Sequence, residues 1–405
     1  MTEIYNRRLL LEIVQKYDNW IIYGAGVTGQ GLFCLLKILG YENKIKGFAV
    51  SDHTDHLNEF MGIPIKNISE YELEGIHVLI AVKYVYLHDI TERLVNVDCY
   101  YTDMRALKEI FETEYSVISQ DMMDQIHKLD LTDEQYVTFC IRQIRRVKLD
   151  FEVNIADHCN LNCQCCNHFS PLADQVFLDI DIFTRDLKRI RELTNGEVGK
   201  IWLIGGEPLL HPQLTDFLYV SRSLFPKTHI TLNTNGILLL KKDERFWQAL
   251  RDTQIEITLT KYPIQIDYQK IDQKINLEKV KYAYTLSSAV LKTTYHLPLD
   301  VEGKLDGIKN YIKCGHANEC ITLRGGGGGI YTCPIAPNAH YFNTYFGKNL
   351  YVGDNNCINI YEAKNIDEIF AFLKKPIPFC NHCNIDGYTY GLKWNVSKRD
   401  IKEWT

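Results

Sequence analysis

The sequence predicts an α/β protein in three parts: a small N-terminal α/β domain, a central parallel unit and a C-terminal hairpin-plus-helix region. Three observations predict it. Strand-like and helix-like stretches alternate through the first hundred or so residues and again after residue 150, which implies parallel strands with right-handed crossovers. A Gly-x-Gly-x-x-Gly turn joins the first strand to the helix that follows it. All but Cys34, Cys99, Cys140 and Cys357 of the 13 cysteines fall in two clusters, one after the strand near residue 155 and one near the C-terminus. The expected boundaries are 1–105, 106–149 (a helical connector), 150–300 and 301–405.

Composition narrows the function classes. The 405 residues carry 45 Lys+Arg against 51 Asp+Glu, a net charge of −6, so no basic surplus is available to neutralise nucleic-acid phosphates. The N-terminal stretch is interrupted by charges, and no run approaches the ~18 apolar residues of a spanning helix. A cytoplasmic protein with no membrane span and no nucleic-acid partner is expected. In a long chain without a signal peptide, clustered cysteines read as ligands rather than as a disulfide framework. The four scattered ones read as buried thiols.

Taken in order, an apolar-periodic helix over Leu9–Val14 leads into a strand, Trp20–Tyr23. Gly24-Ala25-Gly26-Val27-Thr28-Gly29 follows and opens a helix through Leu32, Leu35, Leu36 and Leu39. A second strand, Ile45–Val50, ends at Ser51-Asp52, and His77–Val82 is a third. In this setting Gly24 permits the tight turn, Gly26 lets backbone approach a phosphate and Gly29 lets helix pack on strand. Asp52 is placed to accept from a ribose hydroxyl. Residues 1–105 therefore read as a Rossmann-like domain for a nucleotide or nucleotide-sugar. The same glycines also serve tight strand–helix packing with nothing bound. This part resembles the N-terminal halves of some sugar-modifying bacterial enzymes. Beyond it, Asp121–Leu129 and Thr132–Val147 are helical in pattern, the latter opening on a Thr-Asp-Glu cap signal. Arg142, Arg145, Arg146 and Lys148 read as a solvated face.

From Phe151 the strands Phe151–Ala156, Lys200–Ile204, Thr228–Leu232 and Ile255–Thr260 alternate with helices near Ile180–Leu193, Gln213–Leu224 and Asp243–Leu250. This pattern suggests a partial (β/α)6 barrel, in which reacting groups sit at the C-terminal ends of strands. Directly after the first of these strands comes Asp157-His158-Cys159-Asn160-Leu161-Asn162-Cys163-Gln164-Cys165-Cys166, with Cys-x3-Cys-x2-Cys embedded. Three thiolates on one loop can hold three irons of a cubane cluster and leave the fourth iron open. The alternative is structural zinc, with His158 or His168 as fourth ligand. The second strand ends in Gly205-Gly206-Glu207-Pro208, where two glycines leave backbone open to a ligand and Glu207 offers an acceptor for an ammonium. The third ends in Asn233-Thr234-Asn235-Gly236, and the fourth carries Thr258 and Lys261 before Tyr262-Pro263. Four consecutive strands thus end in polar or ligand-forming residues.

On these residues the sequence resembles the radical SAM superfamily, over residues 150–265. The Cys-x3-Cys-x2-Cys loop matches its signature, and Gly-Gly-Glu-Pro matches the element contacting the amino group of S-adenosylmethionine. The resemblance implies a [4Fe–4S] cluster held by Cys159, Cys163 and Cys166, reductive cleavage of the S–C5′ bond, and hydrogen abstraction by a 5′-deoxyadenosyl radical. It implies an external reductant such as flavodoxin or ferredoxin. It also places Gly205, Gly206, Glu207, Pro208, Asn233, Asn235, Thr258 and Lys261 around S-adenosylmethionine. The position before the last cysteine is commonly aromatic in the family. Here it is Cys165, which either packs beneath the adenine or competes as a ligand.

In the C-terminal region Cys320–Leu323, the run Gly325–Gly329 and Ile330–Cys333 read as a hairpin with a glycine-rich turn. A helix over Asp367–Lys374 precedes Cys380-Asn381-His382-Cys383. By ligand count the four thiolates suit zinc or a second iron–sulfur cluster equally. The arrangement resembles the auxiliary-cluster domain, called twitch, that follows many radical SAM barrels. Gly328 and Cys333 satisfy its Gly-x4-Cys element, and the resemblance implies a second [4Fe–4S] cluster on Cys333, Cys380, Cys383 and one further thiol. That first ligand is open between Cys314, which is favoured, and Cys320.

The function implied is oxidation or epimerisation of a carbohydrate, either a nucleotide-linked sugar or a glycan building block. Oxidation needs an electron sink, which the second cluster supplies in twitch-bearing relatives. Epimerisation needs a hydrogen donor, for which Cys357 or Cys320 is a candidate. Two other readings compete: maturation of a ribosomally made peptide, and a non-enzymatic zinc-binding scaffold.

Overall fold

The computed structural model describes the chain except for residues 52–58, 95, 115–117, 119, 145–147 and 286–290. It divides into two units, Met1–Val147 and Lys148–Thr405. In the first, the strands are Thr2–Glu3 (β1), Trp20–Tyr23 (β2), Ile45–Val50 (β3), Glu59–Phe60 (β4), Ile63–Asn67 (β5), His77–Ala81 (β6) and Cys99–Thr102 (β7). Among the described residues they form one sheet in the order β1-β7-β6-β2-β3-β5-β4, parallel except at the β4–β5 edge. The Trp-Ile-Ile-Tyr run of β2 is apolar throughout because the strand is buried along its whole length. Strand order reverses at β2, so the crevice beyond the C-terminal ends of β2 and β6 is the topological switch point of this sheet.

The helices of this unit are Arg7–Lys16 (α1), Val27–Ile38 (α2), Leu87–Arg93 (α3), Met104–Thr113 (α4), Gln120–Ile126 (α5) and Asp133–Ile144 (α6). The stretch read as a connector supplies helices that pack within this unit: a Cβ on Gly31 of α2 would lie 2.7 Å from Val137 and 3.4 Å from Leu107. Arg142, expected on a solvated face, is only 4% exposed. The reason is that α6 buries every residue from Phe139 to Gln143, and the Arg142 guanidinium rests 5.8 Å from the Phe139 ring centre. Arg145, Arg146 and Asp52 lie outside the described residues.

The second unit opens with Leu149–Ala156 (β8), Val198–Gly205 (β9), His229–Thr234 (β10), Glu256–Leu259 (β11) and Tyr282–Tyr284 (β12). These strands pair in parallel in chain order and are joined by helices Ile180–Leu193 (α7), Leu214–Leu224 (α8), Glu244–Thr253 (α9) and Tyr268–Leu277 (α10). Asp179 and Asp243 cap α7 and α9 by accepting from first-turn amides. The remaining strands are Thr293–His296 (β13), Thr322–Arg324 (β14), Gly329–Tyr331 (β15), Cys357–Asn359 (β16) and Thr389–Lys393 (β17), with helices Gly307–Lys313 (α11), Ala339–Phe346 (α12) and Ile366–Leu373 (α13).

The expected hairpin is present as β14 and β15, but it is not a separate sheet. β14 pairs in parallel with β8, so the order is β12-β11-β10-β9-β8-β14-β15-β16. The sixth parallel strand is therefore supplied by the hairpin on the far side of β8, not by a sixth βα unit after β12. The cause is apolar: Ile321, Leu323 and Ile330 join the same buried core as Phe151, Val153 and Leu203. β13 and β17 make a separate antiparallel pair. Along β8, Phe151, Val153 and Ile155 fill that core, so the alternate residues Glu152 and Asn154 project from the opposite, inner face. No helix among the described residues is long and apolar enough to cross a membrane.

Candidate active site

The loop after β8 turns sharply without glycine: Asn162, Cys165 and Phe169 all take left-handed backbone, with φ of 49°, 56° and 53°. This curls Cys159, Cys163 and Cys166 toward one another. Burial, then the neighbouring Cys166, pushes the Cys163 thiol up to about 11. Burial, then Glu207, pushes Cys159 up as well, although its sulfur accepts from the Leu161 amide at 3.4 Å. Thiols so placed need a cation to become thiolates. Tyr262 stands among the three, and a buried indole nitrogen beside Cys163, Nε1 of Trp394, has no hydrogen-bond partner. Three converging soft donors with an orphaned N–H fit a sulfur-ligated cluster. Of the two histidines proposed for zinc, His168 is otherwise engaged, while the Nδ1 of His158 is buried without a hydrogen-bond partner. His168 Nδ1 meets the Gly205 carbonyl at 2.9 Å and its Nε2 faces Glu152, while His158 packs edge-on against Phe177. Among the described residues no three His, Cys, Asp or Glu side chains close on a single metal ion.

The Gly205–Pro208 segment does something different from what its glycines suggest. A Cβ on Gly205 (φ +140°) would sit 2.1 Å from the Ala156 carbonyl, and one on Gly206 2.1 Å from that of His158. The Gly206 and Glu207 amides donate to those two carbonyls at 2.6 and 3.0 Å. The glycines thus let the end of β9 lie against the start of the triad loop, leaving little backbone open. Glu207 is 1% exposed. Its carboxylate accepts from Leu209 N (3.0 Å), Thr234 Oγ1 (2.6 Å) and Asn235 N (3.0 Å), so it ties the ends of β9 and β10 together. Burial raises its pKa against those bonds. Pro208 starts the short turn that Glu207 caps. Asn235 Nδ2 reaches Asn160 at 2.8 Å and the Cys159 sulfur at 3.8 Å. Asn233 and Thr258 are register partners across β10 and β11. Lys261 has its ammonium over the Tyr268 and Tyr284 rings, at 5.3 and 5.1 Å. Cys165 turns toward the C-terminal segment and lines a small pocket with Phe169, Glu403 and Trp404.

Residues 153–299 match the radical SAM superfamily. This stretch is a radical SAM domain. Curated relatives include the GTP 3′,8-cyclase of Staphylococcus saprophyticus, 30% identical over 148 residues, which are 35% of this chain and 44% of the relative. That of Aliarcobacter butzleri is 31% identical over 140 residues, 33% and 41% of the two chains. The chain thus spans under half the length of these relatives. Among solved structures, BtrN in complex with AdoMet and 2-DOIA is 18% identical with a TM-score of 0.39, covering 64% of this chain and 98% of that one. A native anSMEcpe with bound AdoMet gives 14% and 0.36, covering 57% and 81%. The radical SAM domain implies a [4Fe–4S] cluster and S-adenosylmethionine as cofactors.

In the region that follows the radical SAM domain, Cys314, Cys333, Cys380 and Cys383 line one small apolar pocket. Cys314 ends α11, and its sulfur accepts from the His316 and Ala317 amides, both at 3.3 Å. Cys333 follows β15, and burial pushes its thiol up to about 12. Cys320 does not line this pocket; burial, then Glu152, pushes its thiol up to about 12. Cys357 lies opposite Tyr331 across β15 and β16, and its sulfur is 3.5 Å from the Asp354 carbonyl.

Sequence reading missed a buried polar layer on the inner face. Glu152 accepts from Thr322 Oγ1 at 2.7 Å and faces His168. Burial opposes the charge of His168, but Glu152, Cys166 and the Gly205 carbonyl outweigh it and push its pKa up to about 9. Asp157 receives a two-pronged pair from Arg324 (2.6 and 2.7 Å) and the Tyr341 hydroxyl (2.5 Å). Asn154 donates to Asn338 at 3.2 Å while its own Oδ1, buried, has no partner. The signal was the alternation Phe151-Glu152-Val153-Asn154-Ile155, odd in a strand flanked on both edges.

In the first unit, Gly24 (φ +113°) would place a Cβ 2.4 Å from the Ala81 carbonyl at the end of β6, and Gly29 one 1.8 Å from the Gly24 carbonyl. Gly26 caps α2 and has nothing within 4 Å of an added Cβ.

Proposed function

We propose that this protein uses S-adenosylmethionine to abstract hydrogen from a hydroxyl-rich carbohydrate and oxidises it. The observation that carries this reading is the polar inner face between the triad and the four-cysteine pocket. It gathers Glu152, Asn154 and Asp157 in one polar layer, in which the buried Asn154 Oδ1 is satisfied by no donor among the described residues. Its electrostatic neighbours support this location: Tyr295 has both Cys166 and Cys320 among them, and Cys320 has both Cys333 and Cys314. When bound, the groups held by the two thiol sets supply reductive cleavage of the sulfonium at Cys159, Cys163 and Cys166 and an electron acceptor at Cys314, Cys333, Cys380 and Cys383. The chain's own residues do the rest. Glu207 and Asn235 hold the strand ends around Cys159. Arg324 and Tyr341 fix Asp157, two residues ahead of that thiol. Glu152, oriented by Thr322 and His168, is the acceptor suited to a proton leaving an alcohol as it becomes a carbonyl.

Epimerisation is a second reading, favoured by Cys320 standing outside the pocket beside Glu152; its thiol is the better placed hydrogen donor, since Cys357 is committed to Asp354 and Tyr331. The Gly24–Gly29 turn by itself suits a nucleotide phosphate. The test is anaerobic turnover with S-adenosylmethionine and dithionite over a panel of nucleotide-sugars, with GTP and a peptide as controls. Formation of 5′-deoxyadenosine with loss of two hydrogens from a sugar supports oxidation. Solvent deuterium at one carbon supports epimerisation. Turnover of the peptide or of GTP alone sinks the carbohydrate reading, and colourless protein holding zinc sinks the radical one.

A further inference from the structure

Residues 394–404 run along the triad loop. The Gln164 amide donates to the Asn395 carbonyl at 2.9 Å and the Ser397 amide to that of Asn162 at 2.8 Å, bracketing an isolated antiparallel bridge between Cys163 and Val396. Glu403 pins the segment from within, accepting from Ser397 Oγ and the Lys398 amide, both at 2.6 Å. Two tryptophans of the segment reach the loop, and their indole nitrogens differ. Trp404 Nε1 donates to the Cys166 carbonyl at 2.9 Å. Trp394 is 8% exposed, its ring lies edge-on to Tyr262 at 5.8 Å, and its Nε1 has no hydrogen-bond partner. Buried N–H groups are rarely left so.

Cys163 lies on the stretch of loop that residues 395–397 pair with, and Trp394 and Tyr262 are among its electrostatic neighbours. A neutral thiol is a weak acceptor, whereas a metal-bound thiolate is a good one. We infer that Trp394 is a positioning residue for the cluster site: its indole N–H donates to the Cys163 thiolate, and the segment bearing it closes the triad loop. This rests on the reading of Cys159, Cys163 and Cys166 as cluster ligands. A hydrogen bond to a cluster sulfur stabilises the reduced, more negative state and raises the reduction potential.

Trp394→Phe keeps the ring and removes the N–H. Trp404→Phe removes the neighbouring indole N–H, which serves a carbonyl rather than a sulfur. Both full chains are reconstituted anaerobically beside the wild type, and the potential is read on the paramagnetic signal that changes when S-adenosylmethionine is added. The expected result is a more negative potential and altered g-values in Trp394→Phe at full iron content, with Trp404→Phe at the wild-type potential. Loss of that iron from Trp394→Phe alone is the same effect carried further and supports the inference. Equal potentials in Trp394→Phe and wild type, or equal shifts or iron losses in the two variants, overturn it. A wild type with no signal responsive to S-adenosylmethionine overturns the reading of the triad itself, and is told apart from the other failures by needing no variant.

Discussion

Arg324→Met breaks the joint between the hairpin and the start of the triad loop. It deletes two charge-assisted bonds to Asp157, at 2.6 and 2.7 Å, and a third to Asn338 at 3.2 Å. Asp157, whose side chain is 6% exposed, is left with the Tyr341 hydroxyl in place of a guanidinium. Removing one member of a buried ion pair costs ~3–5 kcal/mol, because the survivor is buried without its counter-charge. For a unit of roughly 260 residues, at about 2 °C per kcal/mol, the second unit should melt ~6–10 °C lower. Adding Asp157→Asn removes the stranded charge, so the double variant should recover at least half of that loss. Urea unfolding followed by tryptophan fluorescence reads the second unit, since Trp202, Trp247, Trp394 and Trp404 all belong to it and only Trp20 does not. A single-variant cost under ~1 kcal/mol, or a double variant no more stable than the single, would refute the account of this pair as a desolvated, mutually dependent joint.

Gly205→Ala should cost ~3 kcal/mol or more and strip iron from the triad loop, read by urea midpoint and iron content, because its φ of +140° is strained and its Cβ would meet the Ala156 carbonyl. In the first unit Gly29→Ala should destabilise by ~2 kcal/mol or more while Gly26→Ala stays within ~0.5 kcal/mol, measured by thermal melting; only the latter should report on nucleotide affinity alone. Cys314→Ala should lose about four irons per reconstituted chain and Cys320→Ala none; the reverse would exchange their roles. Lys274 holds the Glu278 carboxylate below its ordinary range, with burial opposing and Arg251 adding to it. A depressed carboxylate stabilises fully above its unfolded value, ~4.3, and loses that contribution as pH falls through the lower folded value. The Tm gap between wild type and Glu278→Gln should therefore be full near neutral pH and shrink through the acid range below ~4.3.

What the sequence makes legible here is local. Cys159, Cys163 and Cys166 sit within eight residues, and the βα alternation around them repeats, so both spacing and period could be read along the chain. Gly24 and Gly29 were legible for the same reason, since their roles are settled within one turn and its helix. Partners brought from a distance were not. Glu207 reads as a free acceptor until Thr234 and Asn235, on the next strand, take its oxygens. Gly205 and Gly206 read as open backbone until the end of β8 is laid against them. Arg142 reads as solvated until α6 is enclosed on most of its circumference. The choice between Cys314 and Cys320 turns on which thiol the packing of α11 and the hairpin brings to the pocket of Cys333, Cys380 and Cys383. Trp394 and Trp404 carry no motif at all. Their significance comes from a backbone pairing with residues more than two hundred positions earlier.

The insertion of β14 beside β8 also sets an order of events during synthesis. Thr322, which locks onto Glu152, is 170 residues downstream of it. At ~5–20 residues per second the ribosome needs roughly 10–30 s to deliver it. Through that interval β8 has one edge unpaired, and the nascent cysteine loop hangs from a strand whose inner carboxylate has no hydroxyl to hold it. A truncated product ending before residue 320 would be caught in that condition permanently, with a bare strand edge available to another chain. The anchoring of this loop is therefore timed by chain elongation: the strand that carries it is flanked on both edges only after a distant strand has been made.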